Sequence, residues 1–182
     1  ADFVPAPDTL QRLVPFVDRP GVALAQARWG HLDRTRNGWT RAQALAIDGH
    51  FGVEQAGRAA AGWFVNFNGT AGVWRREAID AAGGWSAATL TEDLELSYRA
   101  QLAGWTVAVV DDTEVPAELP ASLLAFKSQQ RRWARGSVQT ARLLLPAVWR
   151  SGRGLGARLQ ATLHLSHYLV HALMLIICLV GP

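Results

Sequence analysis

The chain has 182 residues, enough to bury one sizeable hydrophobic core. Its single cysteine, Cys178, excludes an internal disulfide and a thiolate metal cluster. Ten Lys or Arg and all 15 acids lie at or before Glu118, and eight Lys or Arg with no acid follow it. The C-terminal part is therefore strongly basic, which indicates contact with an anionic partner, either a membrane surface or nucleic acid.

Helices and short strands alternate along the first part of the chain, the pattern of an α/β fold. After the strand end at residues 1–4, the apolar spacing predicts these elements in order: helix 9–17, strand 22–28, helix 40–61, strand 63–67, helix 75–82, a helix within 89–105, strand 106–110 and helix 120–145. Asn68-Gly69 and Gly83-Gly84 supply turn signals between them.

The stretch 89–105 begins with a cluster of acids that allows two interpretations. Thr89 with Glu92 fits a capping box, and Glu92, Asp93 and Glu95 are all favoured by the helix dipole in a first turn. The same position would also suit Asp93 as a catalytic base held at the start of a helix. Taken alone, the stretch favours capping.

Three further features leave functional and structural interpretations open. Gly69 and Gly72 would let the backbone approach a ligand closely, or would simply form a tight turn. His50 and Glu54 share a helix face, which we interpret as a surface pair because a third metal ligand is missing nearby. Three histidines also share a face, and we interpret them as polar packing: His164, His167 and His171.

The basic C-terminal part is amphipathic and then apolar. Helix 120–145 interleaves Arg and Trp133 with leucines, which suits a membrane surface, while single-stranded nucleic acid is a weaker candidate because no nucleic-acid motif accompanies it. Residues 159–182 carry no charge and predict a borderline membrane span, or else a buried core helix. Arg150, Arg153 and Arg158 would mark its cytoplasmic side.

Four motifs in this order resemble the membrane-bound, processive glycosyltransferases of family 2, which include cellulose, hyaluronan, chitin and mannan synthases. They are the end of a DxD motif at Asp2-Phe3, the turn Phe67-Asn-Gly-Thr-Ala-Gly72, a TED motif at Thr91-Glu92-Asp93, and Q-x-x-R-W at Gln129, Arg132 and Trp133. The last is the most specific, because it follows TED and precedes an apolar segment.

The resemblance implies inverting transfer of a sugar from a UDP- or GDP-linked donor to a hydroxyl of a glycan or lipid acceptor. It assigns Asp93 as general base with Glu92 in support, and Asp2 as a ligand of Mg²⁺ or Mn²⁺. It also implies the remaining substrate contacts: Gly69 and Thr70 at the turn, Gln129 by a hydrogen bond, Arg132 on the diphosphate, and Trp133 under an acceptor sugar ring.

We therefore expect the C-terminal part of a GT-A type nucleotide-sugar transferase domain over 1–118, a basic membrane-interface helix region over 119–158, and the start of a transmembrane helix over 159–182. We expect a fragment, inactive alone, of an enzyme elongating a β-linked polysaccharide at the cytoplasmic face of a membrane, without nucleic acid as a partner. The alternatives are a non-processive glycolipid-forming transferase and a non-enzymatic membrane-surface or nucleic-acid-binding module.

Overall fold

The chain is organised around a three-stranded sheet of order β2-β1-β3. The computed structural model describes residues 3–181. Strand β1 spans Val22–His31, β2 spans Gly72–Trp74 and β3 spans Thr106–Ala117. β1 pairs antiparallel with β2 and parallel with β3, with two register shifts in the parallel pair.

Eight α-helices surround or follow this sheet in the described part of the chain. Their bounds are α1 Thr9–Val17, α2 Gly38–Gly49, α3 Ala56–Ala60, α4 Arg76–Ala81, α5 Glu92–Leu102, α6 Leu123–Arg150, α7 Leu155–Ser166 and α8 Leu169–Val180. A π-helical turn over His50–Gln55 joins α2 to α3, so the predicted helix 40–61 is continuous but changes its winding in the middle.

Two hydrophobic clusters fix the helices to the sheet. Strand β1 is central because it is buried and rich in alanine, so that neighbouring elements can approach it closely. One cluster joins α1 to β1 and β3: Leu13, Val17, Ala25, Ala27, Val110 and Val115. The other joins β1 to α4 and α5: Ala23, Leu24, Phe67, Ala78 and Ala100.

A third hydrophobic cluster lies away from the sheet and joins α5 to the C-terminal helices. Its buried members are Phe64, Leu94, Tyr98, Leu144, Val148, Ala161 and Leu165. Phe64 and Tyr98 stack with their ring centroids 4.8 Å apart. Since α5, α6 and α7 share this core, the basic C-terminal helices are part of the same packed unit as α5.

Several element boundaries differ from the sequence prediction. Strand β3 extends to Ala117, and Phe3 forms an antiparallel bridge with that residue. Helix α6 continues through Pro146 to Arg150 instead of ending before the proline. The reason is tertiary packing, because Leu144 and Val148, on either side of Pro146, are both buried in the third cluster.

The predicted strand 63–67 is wrong, since this segment lies outside all three strands of the described structure. Side chains of α5 take up its backbone hydrogen bonds instead. The Val65 amide donates to Oε1 of Gln101 at 3.0 Å, and Nε2 of Gln101 donates to the Val65 carbonyl at 2.7 Å. The Phe67 amide donates to Oγ of Ser97 at 2.7 Å. The apolar pattern is that of a strand, but the partner is a helix.

The segment 159–182, which we expect to start a transmembrane helix, is divided between two helices. The chain breaks between Ser166 and Leu169, and the axes of α7 and α8 are bent by 72°. In the described residues, no single helix has the length and apolarity to cross a membrane, although α7 and α8 taken together meet those criteria. Every residue of α8 is exposed. The division at residues 118 and 158 stays a prediction.

Candidate active site

Asp93 lies in the first turn of α5, where its carboxyl group is half-buried. The N-cap residue is Thr91, and the structure shows no side-chain capping bond at this described helix end, so the predicted capping box of Thr89 and Glu92 does not form. The pKa of Asp93 is raised to about 6, chiefly by burial and in part by the neighbouring Glu92 charge, while backbone hydrogen bonds and the Arg132 cation oppose the rise. The carboxylate is thus tuned to accept a proton near neutral pH.

The turn Asn68–Ala71 lies directly against Asp93. Gly69 has φ of +79°, and a Cβ atom built there would stand 3.0 Å from Oδ2 of Asp93. Thr70 follows on the exposed side of the turn. The structure therefore places Gly69 against Asp93, the candidate base, with Thr70 next in the same turn.

Two polar side chains that the sequence analysis missed fix this turn. Gln26 is fully buried in β1; its Oε1 accepts from the Asn68 amide at 3.0 Å, and its Nε2 donates to the carbonyls of Thr70 and Ala71, both at 3.1 Å. Its signal in the sequence is a lone Gln within the otherwise apolar run 22–27. Ser97 of α5, which holds the Phe67 amide, also donates to the Asp93 carbonyl at 2.6 Å.

Helix α6 carries the Q-x-x-R-W residues and packs on the start of α5. Gly136 makes this possible, because any Cβ there would collide with the side chain of Thr91. Oε1 of Gln139 also accepts from the Leu90 amide at 2.9 Å. This contact leaves the exposed Arg132 close enough to Asp93 for its cation to lower the pKa of that carboxyl group.

Trp133 is half-buried and lies near Trp29, with ring centroids 6.5 Å apart. Trp29 stands near the carboxyl end of β1 and also contacts Phe51 and Phe3, with centroid distances of 5.7 and 4.9 Å. The carboxyl ends of parallel strands are where α/β sheets collect ligands, so Trp29 is a further candidate site residue, which its position after a predicted strand could have indicated. Gln129 is half-buried one turn before Trp133.

An open groove leads to the start of α5. Its lining consists of Trp85, Ser86, Ala87, Thr89, Leu90 and Glu92. Trp85 is 51 % exposed, so the groove presents a bare aromatic face. Glu92 lies on this groove and is exposed, in contrast to the half-buried Asp93 beside it. This difference in burial distinguishes the two acids.

The predicted metal ligand Asp2 lies outside the described residues. Within residues 3–181, no group of three or more His, Cys, Asp or Glu side chains is arranged to hold a metal ion. The described residues therefore do not by themselves fit a metal site, and the divalent metal stays a prediction. Of the three C-terminal histidines, His164 lies 2.7 Å through Nδ1 from the Tyr98 hydroxyl, which is the polar packing expected.

The sequence of the whole chain, residues 1–182, matches the model of the family described as Glycosyl transferase family group 2. The chain belongs to this family. The resemblance inferred from the four motifs is thereby confirmed, and so is the assignment of the chain to a family of enzymes. The family match does not test the roles given to individual residues, which stay predictions.

Among curated relatives, the chain is 43 % identical over 152 residues to glucomannan 4-beta-mannosyltransferase 1 of Oryza sativa subsp. japonica, covering 83 % of this chain and 29 % of the relative. It is 42 % identical over 152 residues to glucomannan 4-beta-mannosyltransferase 2 of Arabidopsis thaliana, with coverages of 83 % and 28 %. The chain thus spans less than a third of the length of these relatives.

Among solved structures, the chain is similar to the mannosyltransferase PcManGT from Pyrobaculum calidifontis in complex with GDP-Man and Mn²⁺. The TM-score is 0.60 at 17 % identity, over 98 % of this chain and 48 % of the other. A likeness at this identity concerns the fold. It confirms the expected α/β fold of the GT-A type.

Proposed function

We propose that this chain carries the catalytic base and acceptor side of an inverting glycosyltransferase, which moves a sugar from a nucleotide-diphosphate donor to an acceptor hydroxyl. The observation that carries this proposal is Asp93, a half-buried carboxylate with a pKa of about 6 beside an exposed groove. A sugar hydroxyl is a poor nucleophile, and a base is most effective when its pKa lies near the working pH.

In the proposed reaction, the acceptor oxygen forms a bond to the anomeric carbon while the bond to the diphosphate breaks on the opposite face. Asp93 takes the hydroxyl proton as this bond forms. Arg132, exposed near Asp93, pairs with oxygens of the leaving diphosphate, for which its planar guanidinium is suited. A bound divalent metal would neutralise further diphosphate charge.

The acceptor is proposed to rest against aromatic side chains. Trp133 offers a partly exposed ring supported by Trp29, and a pyranose ring packs well on such a flat apolar surface. Gln129, one turn away on α6, would donate a hydrogen bond to a sugar hydroxyl. The Asn68–Ala71 turn would close the opposite side, with Thr70 exposed towards the substrate.

The donor is proposed to be GDP-mannose and the product a β-(1→4)-linked polysaccharide. The curated relatives are named as glucomannan 4-beta-mannosyltransferases, and the structural neighbour holds GDP-Man with Mn²⁺. The glycolipid-forming alternative uses the same chemistry and differs in the length of the product. Membership of a glycosyltransferase family leaves the non-enzymatic alternatives without support.

A membrane is proposed as the further partner, with the catalytic part on its cytoplasmic side. The supporting observations are the apolar helix α8, which is exposed along its whole length, and the basic residues of α6. Exposing an apolar helix of this kind to water costs about 25 cal/mol per Å² of apolar surface. Lipid would remove this cost, and an anionic headgroup surface would attract the arginines.

Donor screening of membranes that carry the intact protein tests the proposal. We expect incorporation of mannose from GDP-mannose into a polymer that an endo-β-mannanase digests, and loss of incorporation in the Asp93→Asn variant. UDP-glucose, GDP-glucose and UDP-N-acetylglucosamine serve as competing donors. Products that carry a single sugar on lipid would exclude a polymerase, and undiminished transfer by Asp93→Asn would exclude the proposed base.

A further inference from the structure

The π-helical turn His50–Gln55 is the part of the fold that the proposed mechanism leaves unused. π-helical turns are rare and often occur at functional sites, because they insert an extra residue and change the direction of side chains. Here the turn directs His50 and Gln55 towards the segment that leads into the Asn68–Ala71 turn. Its polar side chains therefore lie within one residue of the contact between Gly69 and Asp93.

The hydrogen bonds around Asn68 fix the orientation of its side chain. Its Oδ1 accepts from Nε2 of Gln55 at 2.9 Å and from Nδ2 of Asn66 at 3.1 Å. Its Nδ2 must then face the remaining partner, Nε2 of His50, at 3.1 Å. Because Nδ2 can only donate, this histidine nitrogen is the acceptor.

The same bonds determine the tautomer of His50. With Nε2 as acceptor, the ring proton lies on Nδ1, which stands 3.1 Å from Oε2 of Glu54 and donates to it. Glu54 thus holds His50 in the form that can accept from Asn68. The pair that the sequence analysis interpreted as a helix-surface contact is one step of a directed chain from Glu54 to His50 to Asn68.

His50 also connects the turn to the aromatic residues. Its ring packs edge-on against Phe51 at a centroid distance of 5.2 Å, and Phe51 lies 5.7 Å from Trp29, the partner of Trp133. Its side chain is 26 % exposed. His50 therefore contacts the turn directly through Asn68 and is linked to Trp133 through Phe51 and Trp29.

We propose that His50 is a positioning residue for the acceptor: it holds the Asn68 side chain so that Asn68-Gly69-Thr70 forms one wall of the subsite for the terminal pyranose of a glycan acceptor. The proposal rests on the glycosyltransferase function proposed above. His50 acts through Asn68 and is not assigned a proton-transfer step. Loss of its acceptor nitrogen loosens the wall that the acceptor sugar meets, and leaves the donor contacts unchanged.

The test compares two replacements of His50 in the intact protein, with soluble β-linked manno-oligosaccharides as acceptors. His50→Phe keeps a ring against Phe51 but removes the acceptor nitrogen, and His50→Gln restores an acceptor atom. We expect His50→Phe to raise the KM for the oligosaccharide about tenfold, as for a lost hydrogen bond to a substrate-binding element, with the KM for donor and the Tm unchanged. His50→Gln recovers most of the affinity for the acceptor.

Three outcomes overturn the inference. They are an unchanged acceptor KM in His50→Phe, an equal rise in the KM of donor and acceptor, and a fall in Tm that accounts for the loss of activity. The failure of the proposed function is recognised separately, because the unmodified protein would then transfer no sugar from any nucleotide donor. An active protein that requires Asp93 but is insensitive to His50→Phe contradicts this inference alone.

Discussion

Gly69 and Asp93 lie so close that a Cβ atom on Gly69 would stand 3.0 Å from Oδ2 of Asp93. The residue also has φ of +79°, a conformation that costs other residues about 1–2 kcal/mol. We expect Gly69→Ala to lose that stability and also to displace the carboxylate, so that kcat falls by more than tenfold. Sugar transfer and thermal unfolding measured on the same preparation check both effects.

Gly84→Ala is a matched control for this change. Gly84 also has φ of +79°, but a Cβ atom there would meet nothing within 4 Å. Gly84→Ala should therefore lower Tm about as much as the backbone strain at Gly69 does, with little effect on kcat. An equal loss of activity in the two variants would mean that contact with Asp93 is irrelevant.

Asp93→Asn should abolish sugar transfer while leaving donor binding intact. Removal of a general base typically costs 10²- to 10⁴-fold in rate. In the unmodified protein, kcat should fall as the pH drops below about 6, because protonated Asp93 cannot accept the hydroxyl proton. Initial rates between pH 5 and 8, with nucleotide-sugar binding measured in parallel, check the prediction. The prediction would be contradicted if the fall of kcat at low pH did not follow the titration of a single group with a pKa near 6.

The same substitution should stabilise the fold at neutral pH. The pKa of Asp93 is raised on folding to about 6, so the folded state binds this proton more tightly than the unfolded state does, and ionisation above pH 6 is destabilising. The full difference corresponds to about 3 kcal/mol. Asp93→Asn should raise Tm at pH 7.5, and the gain should vanish as the pH falls from 6 to 4. A constant gain at all pH values would rule out this cause.

Arg132→Gln should move the acid limb of the pH profile to higher pH. The Arg132 cation lowers the pKa of Asp93, so its removal lets that pKa rise further. The KM for the donor should also rise if Arg132 pairs with the diphosphate. Arg131→Gln, at the adjacent exposed position, removes the same charge from α6 and is the control. Equal pH shifts in the two variants would indicate a general effect of surface charge.

Gly136→Ala should separate α6 from the start of α5. The new methyl group would overlap the Thr91 side chain, an overpacking that typically costs 1–3 kcal/mol, and Arg132 would move away from Asp93. Adding Thr91→Ala should recover part of the stability and activity. Gly156→Ala in α7 is the control, because its methyl group would lie 3.7 Å from Trp63 in ordinary contact. Additive losses in the double variant would contradict the proposed contact.

The local part of this structure could be predicted from the sequence, and the motif order led to the correct family. Helix α1 begins and ends as its apolar spacing predicts, and α5 carries the acids in its first turn. Segment 63–67 shows the limit, because its apolar, aromatic-rich pattern is the same whether its backbone pairs with a strand or with Ser97 and Gln101. Only tertiary structure distinguishes these partners.

The same limit applies to the candidate site. Asp93 could be selected by its motif, whereas Gln26 and Trp29 reach the site through contacts with residues more than 40 and 100 positions away in the chain, respectively. The break between α7 and α8 was also hidden, since the uncharged stretch over residues 159–182 continues across it. Spacing identifies residues on one element; it does not show which elements meet.

The shared core of α5, α6 and α7 limits how a water-soluble form of this enzyme could be prepared. A truncation before α7 would uncover Phe64, Tyr98 and Leu144, and would remove the His164 partner of the Tyr98 hydroxyl. A truncation directly after Tyr168 removes the exposed helix α8 and keeps the hydrogen bond from Tyr168 to Gln130. The exposed apolar helix α8 and the helices that pack on α5 are therefore adjacent but separable, at the bend between α7 and α8.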